Sequence, residues 1–176
     1  FDRMLALPAG AGRLVQTALT EAGSGQATVA ILSRAAGEKD WTRHAGGKLR
    51  VIAAAAETRD SLPEIQERCA TVMAASDHYA RMEERGLPYG ACFQGVERLW
   101  LGDGEALARV RLPESLAGEA GAYGVHPALL DACIQVTVAL LSRRSGAATF
   151  VPVGAQRARL HGRVPQHVWA HARFAD

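Results

Sequence analysis

Lysine is nearly missing from this sequence of 176 residues: of its 20 basic side chains only Lys39 and Lys48 are lysines. With alanine abundant, this reads as codon bias in a GC-rich genome and not as an electrostatic device. Excess charge is missing too. Twenty basic against 18 acidic groups leave a net charge of +2, which excludes the concentrated basic field that a nucleic-acid clamp or a polybasic membrane tether needs. No apolar run approaches the roughly 18–20 residues of a membrane span, and the opening FDRMLALPAG has the pattern of neither a signal nor a transit peptide. Cysteine is sparse. Cys69, Cys92 and Cys133 form an odd set with no C-x-x-C spacing, so three reduced thiols in a cytoplasmic protein are expected, not a disulfide framework or a zinc knuckle. The six histidines are scattered, with no H-E-x-x-H pattern, and no metal site is expected. What is present, 48% hydrophobic against 22% charged residues, excludes wholesale disorder and suits one domain or two small halves sharing a core.

Periodicity predicts antiparallel strands first. Residues 1–7 read as extended and 8–12 as a turn; alternating runs over 13–20 and 27–33 predict a hairpin, continued by 41–52 with a bulge signal at Gly46-Gly47. The stretch 53–76, four alanines leading into a charged segment with Pro63, has no alternating face and reads as a linker with some helical content. A short helix is predicted over 76–86, capped by Ser76 or Asp77 and ended by Gly86. Residues 93–113 give the clearest hairpin, two runs about Gly102-Asp103-Gly104. HPALLDACIQVTVALLS, 126–142, predicts a long buried helix with Pro127 at its first position and apolar residues on nearly every face. Strands are predicted again over 150–162 and 167–175, the second alternating Val168, Ala170, Ala172 and Phe174 against Trp169, His171 and Arg173. One apolar helix among antiparallel strands implies an α+β fold in which a sheet curls around the helix.

Asp131 carries the most chemical information. It is the only formally charged residue from Val125 to Ser142, set among Leu129, Leu130, Ala132, Cys133 and Ile134. Removal from water disfavours a charged carboxylate, so Asp131 is expected to keep a proton near neutral pH and to serve as a general acid. Gln135 lies four residues on, on the same helix face, where its amide can orient the carboxyl. A carboxylate near the helix start, bonded to backbone amides, fits the local sequence equally well. His126 fits a base or a cap just outside the helix. The segment PYGACFQG, 88–95, fits either a device that places the Tyr89 phenol and a backbone amide beside a carboxyl or a plain helix-to-strand connection. His44, His78, His161, His167 and His171 read as structural or surface residues on strands or exposed turns, and Trp41, Trp100 and Trp169 as core.

HPALLDACIQ at 126–135, with PYGACFQG upstream and FVPVGAQRARLHG downstream, closely resembles the dehydratase domain of modular type I polyketide synthases. The likeness is collinear over essentially the whole chain; FDRMLALPAGAGRLVQTAL and WTRHAGGKL look like the last strands of that domain's first half. The resemblance implies a double hotdog, two fused units each with a long helix wrapped by an antiparallel sheet. Residues 1–53 are then the last strands of an incomplete first hotdog, 54–75 the inter-hotdog linker and 76–176 most of the second. It also implies a reaction: removal of water from a β-hydroxyacyl thioester carried on the phosphopantetheine arm of an acyl carrier protein, leaving an α,β-unsaturated thioester. In the family a histidine takes the α-proton and an aspartate on the second hotdog helix protonates the departing hydroxyl. Asp131 matches that aspartate, Gln135 matches its usual amide or imidazole neighbour, and Tyr89, Gly90 and Phe93 match the motif G-Y-x-Y-G-P-x-F. The catalytic candidates are thus Asp131, Gln135 and Tyr89, and the candidates for substrate contact are Gly90, Phe93, Leu87, Ala91, His126 and Pro127. No bound cofactor is implied, because the phosphopantetheine belongs to the carrier. The implied partners are that carrier protein, neighbouring synthase domains and a second copy in a homodimer, with no nucleic acid and no membrane.

The sequence departs from the family pattern in three places. No histidine satisfies the H-x-x-x-G-x-x-x-x-P motif of the first hotdog helix: His44 has Lys48 where the glycine belongs, and His126 has Leu130. Leu87 and Ala91 replace the first tyrosine and the proline of the second motif, which widens the space near Asp131. The chain ends after HVWAHARFAD, where the family continues with further strands. The expectation is an acid half whose histidine base lies outside this chain, so that the chain alone is inactive. Two other outcomes stay open. One is an oxygen-heterocycle synthase or double-bond isomerase on the same fold, for which Ala91 is a hint. The other is a non-catalytic hotdog scaffold, favoured by the missing histidine motif and opposed by the charge retained in an apolar helix.

Overall fold

The alternating runs near the start of the chain pair as antiparallel strands in the computed structural model, which describes residues 1–10, 12–53, 60–145 and 149–175. Strands β1 (Arg13–Gly23), β2 (Gln26–Ala35) and β3 (Thr42–Arg50) form a three-stranded sheet in that order. The β1–β2 hairpin closes on Ser24 and Gly25, both with positive φ, as a two-residue turn that matches strand twist requires. A bulge lies in β3, but not at the Gly46-Gly47 pair: those glycines stay in register with Ala30 and Val29, and His44 is the extra residue between Arg43 and Ala45. Its cause is local bonding. The buried His44 ring pairs through Nε2 with Ser33 Oγ (2.7 Å), and its carbonyl accepts from the Asp2 and Arg3 amides. Residues 1–7, expected as a strand, are tied down by those two bonds instead and form no ladder.

The chain divides into two units, Phe1–Ala56 with Val153–Gln156, and Glu57–Pro152 with Arg157–Asp176. In the first, the Phe1 ammonium donates to the Val153 carbonyl. Residues 150–162, expected as a strand, take no regular structure; Pro152 supplies no N–H for a ladder.

In the second unit, helix α1 (Leu62–Arg68) leads into β4 (Thr71–Ala74), α2 (Ala75–Glu84), β5 (Val96–Leu101), β6 (Glu105–Arg111), α3 (Pro127–Ser145) and β7 (His167–Arg173). Short 3-10 segments occupy Ala91–Phe93 and Glu114–Ala122. The sheet order β4-β5-β6-β7 is antiparallel throughout. Period two decides its faces. Leu99, Leu101, Ala106, Ala108, Val110, Ala170 and Ala172 point to one side and close a core with Ala128, Leu129, Ala132, Val136, Ala139 and Leu140 of α3. On the other side Leu107 packs with Ile65 and Cys69, so α1 covers that face at one end. There Glu105 accepts two bonds from Arg68 and pairs with His171 Nε2 at 2.9 Å. Trp100 and Trp169 are partly exposed and pack on each other at 5.4 Å, and Trp41 is 37% exposed under Arg34; none of the three is sealed in the core as expected. No single helix among the described residues is long and apolar enough to cross a membrane.

Helix α2 starts one residue earlier than predicted, with Ala74 as N-cap and no side-chain cap. Ser76 and Asp77 therefore lie inside the first turn, because β4 runs directly into the helix. At its other end the expected Gly86 adopts φ 77°, its amide bonds to the Glu83 carbonyl, and the Leu87 amide reaches Met82. That pair of bonds is a Schellman motif, and it needs the left-handed residue that glycine supplies.

Candidate active site

The Schellman end of α2 fixes the direction in which Leu87–Gln94 leaves the helix. Phe93 N–H bonds to Gly90 O, and Gln94 Nε2 donates to Tyr89 O, so the loop holds itself in a 3-10 turn. It then meets α3 at Gly95. A Cβ on Gly95 would stand 2.7 Å from Arg111 O and 2.9 Å from Ala132 Cβ, so only glycine lets the loop end lie this close to the helix.

This close approach brings Phe93 to Gln135. Gln135 is 1% exposed, and its Nε2 donates both to Phe93 O (2.9 Å) and to Asp131 Oδ2 (2.8 Å). The i, i+4 spacing therefore produces a direct bond on one helix face. Asp131 is half-buried and not enclosed by apolar side chains as expected. Its sequence neighbour Leu130 is 47% exposed and turns away from the core. Nor does Asp131 bond backbone amides among the described residues, as a helix-start carboxylate would: its hydrogen-bond donor there is Gln135.

Two phenols stand near the carboxyl. Tyr89 is half-buried; burial first, and then the Asp131 charge, raise its pKa above the ordinary tyrosine value. Tyr79 packs edge-on against Tyr89 at 6.2 Å, accepts the Val96 amide at its hydroxyl and is pushed up to about 12, chiefly by burial. Both are protonated at neutral pH. The side chains at Ala91 and Phe93 are exposed, as is Gly90, and Leu87 is half-buried.

His126 takes the capping alternative. Its Nδ1 accepts the Ala128 amide (3.2 Å), its carbonyl accepts Leu130, and its ring packs edge-on with Tyr123. No hydrogen bond among the described residues links it to Asp131. Pro127 is exposed at the first helical position.

His78, read as a structural or surface residue on a strand or exposed turn, lies in α2 and is 1% exposed. Burial, reinforced by Arg81 and Arg85 and opposed by the Gln135 side chain, holds its ring down at about 4, so it is neutral at pH 7. Tyr79 and His78 are the site residues that sequence reasoning missed. The available signal was the i, i+4 placement of His78 with apolar Met82, one turn before the loop.

The cysteines are free. Burial pushes the half-buried Cys133 thiol up to about 11 and raises that of Cys69, so neither is a thiolate nucleophile at neutral pH. Among the described residues, no three His, Cys, Asp or Glu side chains gather as metal ligands. An open cleft of about 820 Å³ touches Arg68, Glu105 and Arg173 at the Glu105 end of β6. The loop–α3 junction is at the other end, where Arg111 bonds Gly95.

Residues 57–176 match the family described as the polyketide synthase dehydratase N-terminal domain. The chain belongs to the polyketide synthase dehydratase family. Polyketide synthase GfsB of Streptomyces halstedii is 40% identical over 115 residues, 63% of this chain and 2% of that protein. The dehydratase of CurK, solved as an inactive histidine-to-phenylalanine mutant, superposes with a TM-score of 0.85 at 31% identity over 97% of this chain and 61% of its own. An inactive aspartate-to-asparagine mutant of the same dehydratase gives 0.81 at 32% identity, over 97% and 60%. The chain thus spans about three-fifths of the CurK dehydratase chains and a small fraction of GfsB. The α+β, hotdog-like fold of antiparallel sheet and long helix is the one these dehydratases share.

Proposed function

We propose that this chain supplies the acid half of a dehydratase site. Asp131 in its protonated form gives its proton to the β-hydroxyl of a β-hydroxyacyl thioester, which leaves as water. A histidine outside this chain takes the α-proton, and the electron pair of that C–H bond becomes the new C=C bond. The observation that carries this reading is the 2.8 Å bond from buried Gln135 to half-buried Asp131. It engages Oδ2 and leaves Oδ1 to carry the proton toward a substrate, while partial exposure gives that substrate access. Tyr89, protonated at neutral pH, donates a hydrogen bond to the substrate oxygen. Exposed Gly90, Ala91 and Phe93, with Leu87 behind them, form the substrate side of the loop, and Pro127, one turn before Asp131, joins them. Inactivity of both the histidine and the aspartate mutants of the CurK dehydratase supports dividing the work between one base and one acid.

The substrate comes on an acyl carrier protein, with neighbouring synthase domains and a second copy of the chain as further partners, in the cytoplasm. Residues 1–53 are the last strands of a first hotdog and 76–176 most of a second. The connecting 54–75 carries α1, which packs on the sheet of the second, and β4, which pairs within it. Incubating a β-hydroxyacyl thioester with the chain, alone and together with a histidine-bearing first-half segment, tests the division of labour. The α,β-unsaturated product is expected only from the combination, and turnover by the 176 residues alone would overturn it.

A further inference from the structure

Four buried side-chain atoms among the described residues have no hydrogen-bond partner: Arg34 Nε, His78 Nε2, His126 Nε2 and Gln135 Oε1. Two of these are complementary neighbours. The Gln135 side chain lies within hydrogen-bonding reach of the His78 ring, short of the geometry of a finished bond. We propose that His78 is a positioning residue for Asp131: its Nε2–H donates to Gln135 Oε1 and thereby decides which end of the Gln135 amide meets the Asp131 carboxyl. The inference rests on the reading of Asp131 as the acid.

The two ends of a side-chain amide are nearly alike in shape, and only their hydrogen-bond partners distinguish them. At Gln135 two acceptors, Phe93 O and Asp131 Oδ2, call for the NH2 end. The Oε1 end points into a region where water does not reach it, and a buried carbonyl without a donor forfeits its solvation. A neutral imidazole carries one N–H, and His78 is neutral. With that N–H on Oε1, a flipped amide would set N–H against N–H and carbonyl against carboxylate. The loop, α2 and α3 then act through one side chain, since Gln135 meets Phe93, His78 and Asp131 together. Filling space on the buried face of α2, beside Met82, needs only an apolar residue. Burying an imidazole there carries a desolvation cost that a bond to Gln135 offsets.

The test uses the chain completed with a histidine-bearing first-half segment. His78→Phe keeps an aromatic ring without the donor, His78→Gln returns an N–H on a flexible side chain, and Asp131→Asn is the control on the acid. His78→Phe is expected to lower kcat about threefold to tenfold with KM unchanged, the worth of one neutral hydrogen bond. In NMR spectra of the chain it is also expected to shift and broaden the Gln135 side-chain ¹H–¹⁵N pair, and His78→Gln is expected to restore both. A merely structural role would lower thermal stability while leaving kcat per folded molecule and the Gln135 signal as in wild type, which overturns the proposal. If Asp131→Asn is inactive and His78→Phe behaves as wild type, the positioning role alone fails. If Asp131→Asn turns over normally, the acid reading fails and the positioning role with it, while the Gln135 signal still reports whether the His78 contact exists.

Discussion

At the scale of single residues, the site is a set of polar groups whose environment is set by packing. His78 shows the consequence most directly. Its ring is held at about 4 against 6.5 when free, so the unfolded chain takes a proton that the folded chain refuses. The stability this contributes is fully present above pH 6.5 and is lost as pH falls toward 4, by roughly 3 kcal/mol in all. Urea midpoints measured from pH 7 to pH 4 should show that loss, and His78→Phe should flatten it; an unchanged slope in the variant would show that the loss comes from other groups. Asp131 and Gln135 were legible in sequence because a lone charge in an apolar helix stands out and four residues make one turn. The degree of burial was not legible. Residues adjacent in sequence point a hundred degrees or so apart on a helix, so Leu130 faces outward and leaves Asp131 half-exposed. His78 was overlooked because an isolated histidine in a short charged helix looks solvated until the packing of that helix is known.

Among the elements, the junction between loop and helix matters more than either part. Gly95 has no room for a Cβ between Arg111 O and Ala132, and neither neighbour is a flexible side-chain end. Gly95→Ala is therefore expected to destabilise the chain by about 1–3 kcal/mol and to draw Phe93 O away from Gln135. Denaturation curves check the first effect and the Gln135 amide signal the second; a variant as stable as wild type would mean that the junction is loose. The hairpin about Gly102-Asp103-Gly104 and the long helix were readable because turn chemistry and length mark them independently of context. β4 was not: four residues, Thr71–Ala74, become a strand only by pairing with Leu101–Arg98 of β5. The reverse error, a strand expected over 150–162, has the same origin, since alternation alone makes no ladder.

For the whole molecule, the decisive feature is which parts of a dehydratase the chain contains. Its second unit holds a helix on an antiparallel sheet, with the Asp131 carboxyl, the Gln135 amide bonded to it and the Tyr89 phenol gathered at one end. No histidine in the sequence fits the base motif. The proposed chemistry thus needs a second segment, and the most direct measurement is the yield of α,β-unsaturated thioester from the completed domain carrying Asp131→Asn. Asparagine keeps an oxygen for the Gln135 N–H and loses the acidic proton, so the circular dichroism spectrum and melting temperature should hold. Product formation should fall at least about a hundredfold, as loss of a general acid requires. A folded Asp131→Asn protein that dehydrates its substrate at the wild-type rate would contradict the account.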